Sequence, residues 1–198
     1  MPINCIVRPA KNIEEAITAQ NLDNEVWKNG YQYYEKLYTT GLENKDPDLL
    51  LVGVEENTEK FLGYIGVERF AEEDLIVGAA SNFTKNMPPW NHDTIYKLDG
   101  TIWHIAGHSV TREARKEGVS AKIIQGLINR ARERNDVKLI ATTYNLNHPT
   151  LKDPEKFWGG YGFEKLSETY DPNWNHDGEL HLKDIPNDGS IVYALKIS

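Results

Sequence analysis

A turn that carries two basic residues and a glycine lies between an apolar strand pattern and an amphipathic helix pattern. It reads Arg115-Lys116-Glu117-Gly118-Val119-Ser120, with the strand pattern over Trp103–Val110 before it and a helix from Val119 to about Arg134 after it. The first N–H groups of a helix have no partner inside the helix, and the helix dipole adds positive potential there. The turn therefore predicts an anion site, and a phosphate-bearing cofactor is its natural occupant.

The elements before this turn begin with a strand over Ile3–Val7. Asn12 with Glu15 three residues later is the pattern of a helix start, and this helix is predicted to end near Gln20. A second helix is predicted from about Asn24 to Tyr38, with a stop at Gly41. The strands Leu49–Val54 and Phe61–Phe70, joined by a polar turn, predict an antiparallel hairpin.

The elements after the turn complete a mixed pattern of helices and strands. The helix has one apolar stripe, formed by Val119, Ile123, Ile124, Leu127, Ile128 and Ala131. Next in the chain is a buried strand over Val137–Thr143. It is followed by a short helix that opens with Asp153-Pro154-Glu155 and ends at Gly162-Phe163, and then by strands near 164–170 and 191–197. This order predicts an α/β (α+β) fold with a central, mostly antiparallel sheet flanked by helices and one parallel β-α-β unit at 103–143.

Residues 71–100 interrupt the regular order of elements. About thirty residues between two strands exceed the usual loop length, and long loops tend to be functional. We predict one domain over residues 1–198 with an insertion at about 71–100. The insertion is expected to be either a wall or lid of a substrate pocket or a contact between two copies of the chain, so a homodimer stays open.

Composition narrows the class of protein. The net charge of −8 argues against nucleic acid bound through a broad basic face and suits a cationic substrate. The single cysteine, Cys5, permits no intrachain disulfide, and the His-Asp pairs at 92–93 and 176–177 lack compact metal-ligand spacing, so no metal is expected. No stretch reaches about 18 apolar residues, which predicts no membrane span and a cytoplasmic protein.

The strand-turn-helix unit resembles the acyl-CoA-binding core of the GNAT N-acyltransferase superfamily. The family motif, Arg or Gln, two residues, Gly, one residue, Gly or Ala, is matched here by Arg115, Gly118 and Ser120. The family's aromatic and Gly-Phe pattern is matched by Phe157-Trp158-Gly159-Gly160-Tyr161-Gly162-Phe163. The resemblance covers residues 49–70 and 101–170 well and does not extend to 71–100.

The resemblance implies acetyl-CoA as co-substrate and assigns the residues that bind it. The backbone from Arg115 through Lys116, Glu117, Gly118, Val119 and Ser120 to Ala121 would hold the diphosphate. Backbone N–H groups near Ser109 and Val110 would polarise the thioester carbonyl. Asn147, after the buried strand, would bind the pantetheine arm. Ser120 departs from the family's Gly or Ala, and its hydroxyl would donate to phosphate or cap the helix.

The resemblance also nominates the base that removes a proton from the attacking amine. In related branches the base stands eleven residues before the motif arginine, which is His104 here. His108, two positions along the same strand face, is the second candidate and lies nearer the expected thioester. Glu68 is a fallback base or an anchor for a cationic substrate, and Trp90 in the insertion is a candidate pocket wall.

The usual proton donor of the family is replaced in this chain. Many members place a tyrosine where Trp158 stands, and an indole N–H is no usable acid. Tyr161 is the candidate substitute. A thiolate with a pKa near ~8.5 also leaves without much assistance.

These expectations together describe an N-acetyltransferase that moves acetyl from acetyl-CoA to a primary amine of a small cationic molecule. Two alternatives stay open: an acetyltransferase acting on a protein N-terminus or lysine, and a non-catalytic acyl-CoA-binding regulator.

Overall fold

The computed structural model describes residues 3–27, 33–43, 45–70, 101–145, 153–169 and 190–197. Two compact units contain them, one built from residues 1–68 with 105–134 and the other from residues 69–104 with 135–198. The elements in chain order are β1 (Cys5–Pro9), α1 (Ile13–Trp27), α2 (Tyr33–Glu43), a 3-10 turn (Pro47–Leu49), β2 (Leu50–Glu55), β3 (Phe61–Phe70), β4 (Thr101–Val110), α3 (Val119–Glu133), β5 (Val137–Asn145), α4 (Pro154–Gly159), β6 (Glu164–Thr169) and β7 (Ser190–Lys196).

The first unit contains β1, β2, residues 61–68 of β3 and residues 105–110 of β4, which neighbour one another in that order. β1 pairs with β2, and β2 with β3, in antiparallel orientation. The central strand β2 sets Leu51 opposite Pro9 of β1 on one side and opposite Ile65 of β3 on the other. At the end of β4, the N–H of Thr111 donates to the carbonyl of Leu62 at 2.8 Å. The predicted hairpin of β2 and β3 is confirmed, and so is an antiparallel sheet flanked by helices.

Helices cover both faces of this sheet because its strands alternate between two apolar surfaces. On one face, α1 and α2 pack on a buried cluster that includes Leu50, Val52 and Val54 of β2. On the other face lies α3, where a Cβ atom on Gly53 would come within 2.8 Å of the Ile123 side chain. The predicted apolar stripe of α3 is buried along its whole length. This close packing fixes the helix that begins at the anion-binding turn.

The carboxyl end of α3 is held by ion pairs from Arg130 and Arg134 to Asp46 and Asp48. Arg130 Nη1 lies 2.7 Å from Asp48 Oδ1, and Arg134 Nη1 lies 2.6 Å from Asp46 Oδ1. Both carboxylates belong to the segment before β2, and Asp46 has a side chain only 4% exposed. Partly buried pairs of this kind are screened by salt less than exposed ones, and they join the end of α3 to the segment before β2.

The first helix begins after Asn12 as predicted, and Asn12 Oδ1 accepts the N–H of Glu15 at 3.0 Å. The predicted end of that helix and both predicted ends of the second helix are wrong, since α2 spans Tyr33–Glu43. α1 does not end at Gln20 but continues to Trp27, because Leu22 and Asp23 extend its buried stripe and no glycine or proline intervenes. α2 runs through Gly41 instead of stopping there. A Cβ on Gly41 would lie 2.7 Å from the Asp46 carbonyl, so this glycine permits close packing rather than a helix end.

The second unit contains the antiparallel strands β5, β7 and β6, with β7 between the other two. Asp153 caps α4 by accepting the N–H of Lys156 at 2.9 Å, and Pro154 occupies the first helical position. At the end of α4, Gly162 has a φ of 86°, which favours glycine. The edges of β1, β5, β6 and β7 differ from the predicted ranges by one or two residues, as strand ends commonly do.

Three predictions are not tested by the described residues. The insertion at 71–100 lies outside them, the parallel pairing of β4 with β5 would join the two units, and the single-domain organisation stays a prediction. None of the helices within the described ranges is both long enough and apolar enough to cross a membrane.

Candidate cofactor and catalytic site

The turn between β4 and α3 has two residues in the left-handed region. Lys116 has a φ of 68° and Gly118 has a φ of 76°. Left-handed residues set among right-handed ones turn successive N–H groups to one side and form a concave anion site. No atom lies within 4 Å of where a Cβ on Gly118 would stand, so the space in front of this glycine is open.

The amides of the turn divide into two sets. The N–H groups of Arg115 and Glu117 donate within the turn, at 3.4 Å to the carbonyls of Arg112 and Ala114. Val119, Ser120 and Ala121 form the first turn of α3, where no preceding helical carbonyl exists to accept their N–H groups. Fewer amides than the predicted set from 115 to 121 can therefore donate to the anion. The main donors are the N–H groups in the first turn of α3.

The side chains around the turn suit a bound diphosphate. Arg115 and Lys116 are exposed, so both cations can reach an anion in front of the turn. Glu117 is also exposed, so its carboxylate is not held inside the concave site. Charge-assisted hydrogen bonds to phosphate are the stronger class of hydrogen bond. Open space, helical N–H groups and two cations together fit the diphosphate of acetyl-CoA, whose thioester would supply an activated acyl group.

Ser120 connects this turn to a histidine of β4. Its Oγ lies 3.3 Å from His108 Nε2, and both side chains are half-buried. Ser120 does not cap α3: the residue before the helix is Gly118, and it makes no side-chain capping bond. Of the two roles expected for this hydroxyl, capping is therefore wrong, and the contact with a candidate base was not anticipated.

The remaining candidates on β4 have different environments. His104 is half-buried. Ser109 is 9% exposed, and β3 approaches it so closely that a Cβ on Gly63 would lie 2.6 Å from the Ser109 carbonyl. Val110 follows on the same segment and is half-buried. The strand end before the turn is thus held rigidly against β3.

A buried polar cluster under β4 was missed by sequence reasoning. Asp23 of α1, 6% exposed, accepts a hydrogen bond from Tyr34 at 3.4 Å and another, shorter, from Tyr64. Burial first, and then the Asp23 charge, raises the pKa of Tyr34, while burial with the charges of Tyr34 and Asp23 raises that of Tyr64. Both hydroxyls therefore stay protonated donors. The sequence feature that could have indicated this cluster is the Asp23 carboxylate, which lies in the buried stripe of α1 beyond the predicted end of that helix.

Two further candidates, Glu68 and Tyr161, are involved in shifts of tyrosine pKa values. Glu68, half-buried on β3, contributes a charge that helps raise the pKa of Tyr34. Burial raises the pKa of Tyr161, which keeps its proton at neutral pH. Tyr161 packs its ring on Phe157 with centroids 5.5 Å apart, beside a surface depression that Asp153 and Lys156 also line.

Trp158, at the position where the family usually carries a tyrosine, belongs to the core. It is 6% exposed and packs against Phe157 and Phe163, with ring centroids 5.0 and 5.1 Å away. Asn147 and Trp90 lie outside the described residues. Among the side chains that the structure does describe, no group of three or more His, Cys, Asp or Glu could hold a metal ion.

Solved structures share this fold across nearly the whole chain. Arabidopsis thaliana NAA60 in complex with a bisubstrate analogue has a TM-score of 0.66 at 10% identity, covering 98% of this chain and 99% of that one. The same plant protein in complex with acetyl-CoA has a TM-score of 0.65 at 11% identity, with 98% and 99% covered. An agmatine N-acetyltransferase in its apo form has a TM-score of 0.64 at 9% identity, with 98% and 100% covered.

Sequence comparison gives one decisive match. No curated protein matches the chain. The family model described as Acetyltransferase (GNAT) family matches residues 16–159, which include β4, the anion-binding turn, α3 and α4. The chain therefore belongs to the acetyltransferase (GNAT) family, as an acyltransferase that uses acetyl-CoA as its acyl donor.

Proposed function

We propose that this protein transfers the acetyl group of acetyl-CoA to the primary amine of a small cationic molecule by direct attack on the thioester. The observation that carries the proposal is the turn at Lys116–Gly118, with its left-handed residues and the open space in front of Gly118. In a chain of this family, that turn precedes a helix whose first N–H groups point out of the helix.

The chain's own groups would hold the donor as follows. The amides of Val119, Ser120 and Ala121 and the side chains of Arg115 and Lys116 bind the diphosphate. Backbone N–H groups near Ser109 and Val110 donate to the thioester oxygen, where negative charge develops during attack. Because the Ser109 segment is packed closely on β3, these donors are held in place before the reaction begins. Asn147 is proposed to bind the pantetheine arm.

The acceptor amine must lose a proton before or during attack. His104 and His108 are the proposed bases, since imidazole titrates closest to neutral pH among the side chains. The contact of His108 with Ser120 favours His108, because it ties that ring to the cofactor turn. Tyr161, a phenol that is protonated at neutral pH and whose pKa burial raises further, is the proposed donor to the departing thiolate.

The charge of the chain supports a cationic acceptor. The net charge is −8, which favours the approach of cations. Glu68 on β3 is proposed to anchor the ammonium group of the acceptor, and Trp90 to form part of the pocket wall. A similar fold occurs in an agmatine N-acetyltransferase, although at 9% identity this likeness concerns the fold alone.

The competing proposal is acetylation of a protein N-terminus or lysine. It draws support from a neighbour of the same fold, Arabidopsis thaliana Naa50 in complex with the bisubstrate analogue CoA-Ac-MVNAL. The deciding assay measures release of free CoA thiol, with the acetylated product identified by mass spectrometry, over agmatine, spermidine, an amino sugar and peptides with a free N-terminus.

We expect turnover with a small amine to exceed that with every peptide. Faster turnover with a peptide would replace the small acceptor with a protein. Tight CoA binding without turnover on any amine would instead make the chain a regulator that binds acyl-CoA.

A further inference from the structure

Ser120 is the residue at which the cofactor turn departs from the family pattern. The pattern has Gly or Ala there, and neither carries a hydrogen-bonding side chain. In this chain the Ser120 Oγ lies 3.3 Å from Nε2 of His108. The departure thus creates a bond between the first turn of α3 and β4 that a family-typical residue cannot make.

The hydroxyl of Ser120 can donate its proton to either of two partners, a phosphate oxygen or His108. Ser120 is the second residue of α3, so it stands among the amides proposed to face the diphosphate. A hydroxyl has one proton to donate and two lone pairs to accept. When its proton points to a phosphate oxygen, it can only accept from His108, and Nε2 must carry the proton. When its proton points to His108, Nε2 must accept it instead.

We propose that Ser120 is a positioning residue that sets the tautomer of His108 according to whether a diphosphate occupies the turn. This inference rests on the proposed acetyl transfer with His108 as a base. With the diphosphate bound, the neutral ring holds its proton on Nε2, and Nδ1 becomes the nitrogen that takes a proton. The ring charge does not change, because the ring gives up the proton on Nδ1 and takes up one proton on Nε2.

The consequence is that binding of the donor prepares the base. The tautomer of a histidine is fixed by the bond its other ring nitrogen makes. A hydroxyl shared between phosphate and imidazole therefore relays the presence of acetyl-CoA to β4 without any movement of the backbone. A chain with Ala at position 120 would lose this preparation together with the hydroxyl's own hydrogen bond to the phosphate.

The experiment follows the ring nitrogens of His108 by NMR in protein labelled with 15N-histidine. CoA is the probe, because it carries the diphosphate but no acetyl group to transfer. The signals are assigned by their loss in His108→Gln. Three proteins are compared: wild type, Ser120→Ala, and Ser120→Thr, which keeps a hydroxyl.

In wild type and in Ser120→Thr, we expect CoA to shift the proton of His108 to Nε2. In Ser120→Ala we expect CoA to bind about tenfold more weakly, because the hydroxyl no longer donates to the phosphate, and the tautomer of His108 not to respond even when CoA saturates the protein. The kcat for acetyl transfer at saturating acetyl-CoA should fall about threefold to tenfold in Ser120→Ala, the worth of the hydrogen bond to His108, while the lost bond to phosphate raises KM for acetyl-CoA.

Two results overturn the inference, and they are distinguishable. If wild type and Ser120→Ala bind CoA with the same tautomer response, the role of Ser120 is refuted while the acetyltransferase proposal stands. If wild type fails to bind CoA, the proposed function falls together with the inference. A tautomer response without turnover on any amine would support the link and refute acetyl transfer.

Discussion

The hydroxyl of Tyr34 lies against Gly107 of β4, in the space that a Cβ atom on that residue would occupy. Tyr34 is 2% exposed and donates to Asp23, so its position is fixed by a buried partner. Gly66 of β3 opens the other side of the same space, since a Cβ there would touch the Tyr34 ring. The strand with both candidate bases thus packs on Tyr34, and this packing is possible because Gly107 and Gly66 have no side chain.

This packing predicts the effect of Gly107→Ala. The added methyl group collides with the Tyr34 hydroxyl, and we expect a loss of about 1–3 kcal/mol in the free energy of unfolding, measured by urea denaturation. Tyr34→Phe removes the colliding oxygen, so the double variant should be less destabilised than the sum of the single ones, by more than about 0.5 kcal/mol. Gly159→Ala is the control, because no atom lies within 4 Å of its Cβ position. Strict additivity would refute the contact.

The acid side of the stability profile depends on Glu15. Partial burial alone would raise its pKa, but the hydrogen bond from Arg8, the N–H of Lys11 and both charges lower it below the ordinary 4.5. A carboxyl with a lowered pKa stabilises the folded state above its unfolded pKa, and this contribution is lost as pH falls through the folded pKa.

We therefore expect Glu15→Gln to be less stable than wild type at pH 7. The difference should shrink as pH falls below 4.5, the ordinary value for this carboxyl. Thermal unfolding of both proteins across this range measures the difference. Glu14→Gln, on the exposed side of the same helical turn, is the control. A difference that stays constant down to pH 3 would contradict the linkage.

The two histidines of β4 can be separated by their effect on the pH dependence of the rate. A base that must be unprotonated produces a fall in kcat/KM toward low pH. We expect His108→Gln to remove most of this fall and to lower turnover by about 100-fold or more, with CoA affinity changed much less. His104→Gln is the matched variant on the same strand. If only His104→Gln alters the profile, the assignment moves to His104.

Tyr161→Phe tests the proton donor without disturbing packing, because a phenyl ring keeps the contact with Phe157. We expect a decrease in turnover of less than about 100-fold, since a thiolate with a pKa near ~8.5 leaves with little help. The measurement is single-turnover acetyl transfer, compared with CoA affinity in the same variant. Unchanged turnover at every pH would exclude Tyr161 as donor and leave thiolate departure unassisted.

The parts of the fold that could be predicted are those with strong local patterns. The stripe of α3 and the cap of α4 at Asp153 were readable because each depends on spacing within one element. The end of α1 could not be predicted from local spacing, because Asp23 is a charged residue within an otherwise apolar stripe. Its burial depends on hydrogen bonds from Tyr34 of α2 and Tyr64 of β3. The contact of Ser120 with His108 likewise joins α3 to β4, so no pattern within one element predicts it.

The proposed acetyl transfer depends most directly on the turn at Gly118 as the binding site for acetyl-CoA. Its φ of 76° strains most residues other than glycine, so the informative comparison is Gly118→Asp with Gly118→Asn. Asn and Asp have nearly the same shape and both tolerate this region, so their difference isolates the added negative charge.

CoA affinity measured by calorimetry for these two variants and wild type is the deciding measurement. We predict that Gly118→Asp binds CoA at least about tenfold more weakly than Gly118→Asn, which corresponds to about 1.4 kcal/mol of added repulsion. Equal affinities for the two variants, close to that of wild type, would contradict the placement of the diphosphate at this turn.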